Sequence, residues 1–203
     1  MNKQSKYKIC RRLGSGVYEK CQTQKFALSE SKKNDQKKKG RRKQVTDYGK
    51  QLIEKQKLRF TYDLKEGQLV KYVNNVMAQK GINIYEKLFQ DIESRLDNTV
   101  FRLGLAETRA KARQIVNHGH ITVNGKKLNI PSYKVSVGET VGIRIQSVGK
   151  VLFADLSDRM KDSTIPTWLS FDISKNEGQV LGLPKMSDGE IFDLRSVFEF
   201  YSR

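Results

Sequence analysis

Apolar residues fall into three regimes along the chain. Through residue 46 they show no period. Beyond that, Leu69, Val73, Val76 and Met77 recur at helical spacing, and Gly81 follows as a stop. Asn83, with Glu86 three residues on, predicts a capped helix start; Ile84, Leu88, Ile92 and Leu96 then form one stripe at intervals of four. Asp47 to Phe60 carries a thinner stripe and is also predicted helical. A further helix-rich stretch opens at Asp97 and includes Thr108 to His118, with Thr108 as N-cap and Gly119 as a left-handed terminator. After it the period falls to two. Ile121 and Val123 alternate, Asn124-Gly125 signals a tight hairpin, and Lys126-Lys127-Leu128 leads back. Val135 and Val137 precede Gly138, and Val141, Ile143 and Ile145 alternate beyond it. The pattern reads as α+β: a small helical bundle, then helices with a small antiparallel sheet. A looser tail holds Pro166 and Trp168.

Charge sharpens this picture. The net charge is +17, and residues 1–59 hold 19 Lys and Arg against 5 acids, whereas residues 161–203 hold 5 against 7. A chain so lopsided repels itself unless a polyanion offsets it, so nucleic acid leads as partner and an anionic membrane surface comes second. Residues 1–46, with Lys37, Lys38, Lys39, Arg41, Arg42 and Lys43, bury too little apolar surface to fold alone. They predict an extended or disordered arm that gains order on a polyanion. The arm lacks an amphipathic apolar face, no apolar run approaches a bilayer crossing, and the N-terminus lacks a signal-peptide core, so no membrane role is expected. Two cysteines, Cys10 and Cys21, exclude a disulfide scaffold and point to a reducing compartment.

The densest candidate chemistry lies in Thr108-Arg109-Ala110-Lys111-Ala112-Arg113-Gln114. Arg109 and Arg113 are four apart and share a helix face, with Gln114 beside them, while Ala112, Ile115 and Val116 can face the sheet. Guanidinium forks and the amides of a helix start grip phosphate oxygens. Lys126 and Lys127, leaving the hairpin turn at Asn124, can reach the same backbone. His118 and His120 have no third metal ligand nearby in sequence, so contact with RNA is expected of them rather than zinc. Tyr48 and Tyr201 are candidates for base stacking, with burial in the core as the equal alternative for each. Gly14-Ser15-Gly16 lacks the strand and third glycine of a dinucleotide loop, and nothing assembles a nucleophile with a base and an oxyanion site. No enzyme, cofactor or metal is expected.

These residues carry a resemblance. Arg95-Leu96-Asp97-Asn98, Thr108-Arg109-Ala110, His118 and Val123-Asn124-Gly125 resemble the RNA-binding module named after ribosomal protein S four. Asp47-Tyr48-Gly49-Lys50-Gln51-Leu52 and Glu54-Lys55-Gln56-Lys57-Leu58-Arg59 resemble that family's helical core, and Pro166-Thr167-Trp168-Leu169 and the terminal Glu199-Phe200-Tyr201-Ser202-Arg203 resemble its C-terminus. Arg11-Arg12-Leu13-Gly14 adds a weaker match. The resemblance implies an early binder of small-subunit ribosomal RNA, placed at a helix junction of the five-prime domain. It also implies contact with neighbouring small-subunit proteins and, at the entry path, with messenger RNA. It implies a helical core of 47–94 plus 161–203, an inserted module at 95–160 and an arm at 1–46, with the tail and Trp168 packed on 47–94. Arg11, Arg12, Lys50, Lys55, Lys57, Arg59, Arg95, Arg102 and Arg203 join the expected RNA contacts.

Two departures bear on origin. The Lys-rich stretch 32–43 stands where bacterial members commonly carry a Pro-Pro-Gly-Gln-His-Gly-like segment. Of the four zinc cysteines found in some members, Cys10 matches one and Cys21 approximates another, while Tyr7 replaces a third. With Lys57-Leu58-Arg59-Phe60 and the Tyr-Ser-Arg ending, this favours a ribosome of the plastid stroma, the bacterial cytoplasm being the alternative. A pseudouridine synthase-like RNA-modifying enzyme, or its RNA-binding accessory, is the rival function, because Arg95-Leu96-Asp97 matches that group's catalytic motif. The motif precedes the module here instead of following it, so Asp97 is expected to cap a helix or pair with an arginine.

Overall fold

A computed structural model describes residues 5–37, 46–156, 160, 164–186 and 191–203. The chain divides into two compact units, Met1–Met77 with Ser187–Arg203, and Ala78–Met186.

In the first unit, α1 (Lys6–Leu13) buries Ile9, Cys10 and Leu13, one stripe of a single turn and a half. Two short 3-10 turns follow, at Ser15–Val17 and Glu19–Cys21, and α2 spans Gln24–Lys37. Cys10 and Cys21 are joined by a disulfide and pack with Phe26, on which Tyr7 stacks at 5.9 Å. The described part of the arm is therefore helical, contrary to the expectation of an extended segment. Its few apolar residues are not periodic over the whole arm, yet they converge on one short helix and one covalent cross-link. Lys38, Lys39, Arg41, Arg42 and Lys43 lie outside the described residues.

Thr46 starts α3 (Asp47–Thr61) by accepting the Gly49 amide at 3.2 Å. α4 (Glu66–Met77) buries Leu69, Val73 and Val76 completely. The C-terminal helix of the chain packs along α3 and begins at Asp193, whose carboxylate accepts the amides of Arg195 and Ser196. Leu194, Val197 and Phe198 are its buried face.

The second unit opens with α5 (Ile84–Glu93), capped by the Asn83 side chain, and continues into α6 (Leu96–Arg102) and α7 (Arg109–Asn117). The Thr108 side chain caps α7 through the Lys111 amide. Strands β1 (Ile121–Val123), β2 (Lys126–Lys127), β3 (Thr140–Ile143), β4 (Leu169–Asp172) and β5 (Glu177–Val180) form an antiparallel sheet in the order β2-β1-β3-β5-β4. Asn124 and Gly125 have φ of 50° and 75°, the mirror-image turn that the right-handed twist of a two-residue hairpin requires. Ala112, Ile115 and Val116 of α7 close over Ile121 and Val141 with Leu96, Val100 and Leu103 in one core.

Two tail expectations fail here. Ile145 does not continue β3: the Arg144 amide bonds the His120 carbonyl, a short helix α8 (Ile145–Val148) follows, and Ile145 is 90% exposed. Trp168 packs on the core of the second unit, because Leu169–Asp172 and Glu177–Val180 pair and extend the sheet. The units accordingly divide after residues 77 and 186, not at 94 and 160. The stripe of α5 runs on into α6, and β5 pairs with β3, so both belong with the module. With these additions the C-terminal helix, from Leu194 to Tyr201, becomes α9.

Candidate nucleic-acid interface

Four arginines and two carboxylates knit α5, α6 and α7 together. Asp97, 3% exposed, accepts from Arg95 Nε and Nη2 at 3.0 and 2.8 Å, from Arg113 Nε at 2.8 Å, and from the Asn98 amide at 2.9 Å. Glu93, 1% exposed, accepts from Arg102 Nε and Nη2 at 3.0 and 2.6 Å and from Asn98 Nδ2 at 2.7 Å. Arg109 donates to Asn98 Oδ1 at 2.8 Å and lies 4.4 Å over the Phe101 ring. A buried carboxylate needs such partners. The sequence places Arg109 and Arg113 together, as expected, but it does not reveal that both face carboxylates. Arg95 is interior, at 2% exposed. The side chains of Arg102, Arg113 and Arg109 keep 29, 23 and 13% of their surface in solvent, on a cluster with a surplus of two positive charges.

At the far end of α7 the cations are freer of carboxylates. His118 and His120 stack with parallel rings at 6.2 Å, and His120 Nδ1 pairs with Ser147 Oγ at 2.9 Å. The Lys127 chain lies over Gly119, where a Cβ would stand. Arg144 and Lys150 act on His120 from α8 and its flank; burial first, then Lys150, His118 and Arg144, push the His120 pKa below the ordinary 6.5. Lys126, Lys127, Gln114 and His118 are exposed, and Lys111 is half-buried. Asn124 is a turn residue, its Oδ1 accepting the Thr140 amide at 2.9 Å. Arg144 and Lys150 escape sequence reading, since neither lies in a basic run; only their position after the last strand of the hairpin region marks them.

In the first unit the expected contacts divide. Lys55 is buried, bonded to Glu66 at 2.7 Å and set 4.4 Å over the Phe200 ring. Tyr201 donates to the same Glu66 at 3.0 Å. Burial opposes ionisation of Glu66, but the bonds from Lys55 and Tyr201 and the charges of Lys55 and Arg59 hold its carboxyl below the usual range. Burial, then the Glu66 bond, raises Tyr201 far above an ordinary phenol. Lys55 and Tyr201 are thus engaged in joining α3, α4 and α9. Tyr48 is half exposed beside Phe200, Lys57 pairs with Glu54 at 2.7 Å, and Lys50 pairs with Asp47 at 3.1 Å. Arg59 lies 3.6 Å from Glu66; Arg11, Arg12 and Arg203 are exposed, and Lys37 closes α2.

Among the described residues no three His, Cys, Asp or Glu side chains converge for a metal, and no helix is long and apolar enough to cross a membrane. A basic α+β protein with exposed cations around a helix end and a hairpin belongs to the class that meets a polyanion. Residues 1–93 match the family described as Ribosomal protein S4/S9 N-terminal domain, and residues 94–141 match the S4 domain. Small ribosomal subunit protein uS4A of Alkaliphilus metalliredigens is 40% identical over 200 residues, 97% of this chain and 96% of that protein. Small ribosomal subunit protein uS4 of Chloroflexus aurantiacus is 40% identical over 203 residues, and that of a Roseiflexus strain 42% over 199, with the same shares covered. The chain belongs to the ribosomal protein S4 family.

Proposed function

We propose that this chain is a structural protein of the small ribosomal subunit that binds its ribosomal RNA. The observation that carries the reading is the cation surface at the end of α7, where His118, Lys127, Arg144 and Lys150 surround one turn and hairpin within and beside the S4 domain match. Such a surface grips phosphate and selects folded RNA by shape. Arg102, Arg109 and Arg113 add partly exposed guanidiniums whose orientation is set by Glu93 and Asp97. Arg11, Arg12 and the basic run through Lys43 extend the contact from the first unit.

In this reading the protein binds early, nucleates the five-prime domain, touches neighbouring small-subunit proteins and borders the messenger entry path. Binding, not catalysis, is the mechanism. Asp97, which a pseudouridine synthase-like enzyme would use, is enclosed by Arg95, Arg113 and the Asn98 amide. The Lys-rich 32–43 stretch supports a plastid ribosome, while the bacterial origin of the named relatives supports the bacterial cytoplasm. The test is titration of the full chain with a five-prime-domain transcript and, separately, a double-stranded RNA of random sequence, across salt concentrations. Tighter binding to the folded domain with a steep salt slope is expected; equal affinity for both would refute it.

A further inference from the structure

We propose that the cations around the His118-Gly119-His120 turn hold one phosphate of the RNA backbone, and that His120 takes up a proton as the phosphate docks, so that RNA binding strengthens as pH falls. The inference rests on the RNA-binding reading and adds to it a regulation of that same surface. His118 and His120 hold their rings parallel, with 6.2 Å between centroids. The Lys127 chain crosses Gly119, the residue between them, and its ammonium lies 3.1 Å from where a Cβ on Gly119 would stand. Arg144, whose amide donates to the His120 carbonyl at 2.9 Å, and Lys150 are close enough to act on the same ring. Among the described residues no carboxylate pairs with Lys127, Arg144 or Lys150. Asp155 lines a separate cleft with Glu107 and Lys111, and Glu177 packs on Gly142.

Like charges gathered without a counter-ion repel one another, and an anion relieves them. His120 is the titrating group placed to respond. Burial first, then Lys150, His118 and Arg144, hold its proton affinity below that of an ordinary imidazole. A phosphate reverses the charge part of that balance, because it neutralises the cations that repel the proton and attracts the charged ring itself. The contacts of His120 permit both states. Its Nδ1 meets Ser147 Oγ at 2.9 Å, and a hydroxyl accepts as well as it donates, so the bond survives in the charged ring with Nδ1–H as donor. Phe153, set edge-on to the ring, brings no charge. With a carboxylate in place of Ser147 the ring would be charged before RNA arrived, and docking would change nothing. The neutral hydroxyl leaves the proton for the phosphate to recruit.

The test is the affinity of the full chain for the five-prime-domain transcript between pH 5.5 and pH 8 at fixed ionic strength, for wild type, His120→Asn and His118→Asn. Wild-type affinity should rise about tenfold toward low pH, the effect of one pKa unit between the free and bound ring. His120→Asn, which keeps a nitrogen or oxygen for Ser147, should lose that rise, and His118→Asn should keep it. Protonation of the RNA itself is common to all three proteins and cancels in the comparison. Equal affinity at all pH values, a rise that persists in His120→Asn, or a rise lost only in His118→Asn would each overturn the proposal. If His120→Asn does not fold, the wild-type protein decides: its His120 ring is titrated by NMR with and without transcript. A midpoint about one unit higher in the complex supports the site, and an unmoved midpoint overturns it. Failure of the wild-type chain to bind the transcript at any pH would refute the broader reading, whereas binding that ignores pH refutes this proposal alone.

Discussion

Replacing Asp97 by Asn changes almost no volume but removes the negative charge between two guanidiniums. The carboxylate accepts four hydrogen bonds of 2.8–3.0 Å, from Arg95 twice, from Arg113 Nε and from the Asn98 amide, and Arg113 Nη2 approaches it at 2.8 Å as well. Asn retains one acceptor oxygen and turns an NH2 toward donors, so at least two of these contacts become donor against donor. A hydrogen bond to a charged group contributes about 1.5–3 kcal/mol, and breaking a buried pair costs about 3–5 kcal/mol. The Arg113 side chain is 23% exposed, so water recovers part of the loss. We therefore expect a net cost of about 3 kcal/mol, on the order of a 10 °C fall in melting temperature for a unit of this size. Two compact units do not guarantee a two-state transition, so the assay is native-state hydrogen exchange of the α6 and α7 amides. Protection of those amides should drop by roughly two orders of magnitude, with α3 and α9 unaffected. A change below about 1 kcal/mol in α6 and α7 would refute the claim that Asp97 organises the arginines.

Replacing Lys126 and Lys127 together by Ala, both exposed on β2, should leave stability within about 0.5 kcal/mol while reducing the slope of log affinity against log salt by about 1.5; an unchanged slope would remove them from the interface. His120 should titrate below 6.5 by NMR. Because the folded state holds the proton less tightly than the unfolded chain, the stability that neutral His120 contributes is fully present above about pH 6.5 and lost as pH falls through the folded value. A midpoint at or above 6.5 would contradict this. Reducing the disulfide between Cys10 and Cys21, eleven residues apart, should cost about 2–3 kcal/mol of loop entropy and raise hydrogen exchange in α1; unaltered exchange would show that the helix does not depend on the cross-link.

Much of the helical architecture was legible from spacing. Asn83 and Thr108 cap the helices that their sequence contexts predict, and Asn124-Gly125 makes the expected turn. The β4–β5 pair was not, because Ile173-Ser174-Lys175-Asn176 reads as loop and the strands have only four residues each. Ile145 misled by continuing an alternation that the backbone leaves just after Arg144, where α8 begins. At the interface, residue type identified cations but not their counter-charges. Lys55 and Arg95 look like RNA ligands in one dimension and are interior ion pairs in three, because Glu66 and Asp97 approach from other turns of chain. The converse holds for Arg144 and Lys150, which only folding brings to His120.

The most direct test is crosslinking in native particles. The tagged full chain, expressed in cells whose ribosomes accept it, is irradiated in place, the small subunits are isolated, and the attached RNA is sequenced. We predict that the crosslinks concentrate in the five-prime domain of small-subunit ribosomal RNA and map on the protein to the segment from Arg109 to Lys150 and to α1 and α3. Absence of the chain from small subunits, or crosslinks scattered over unrelated RNAs without enrichment in that domain, would contradict the account.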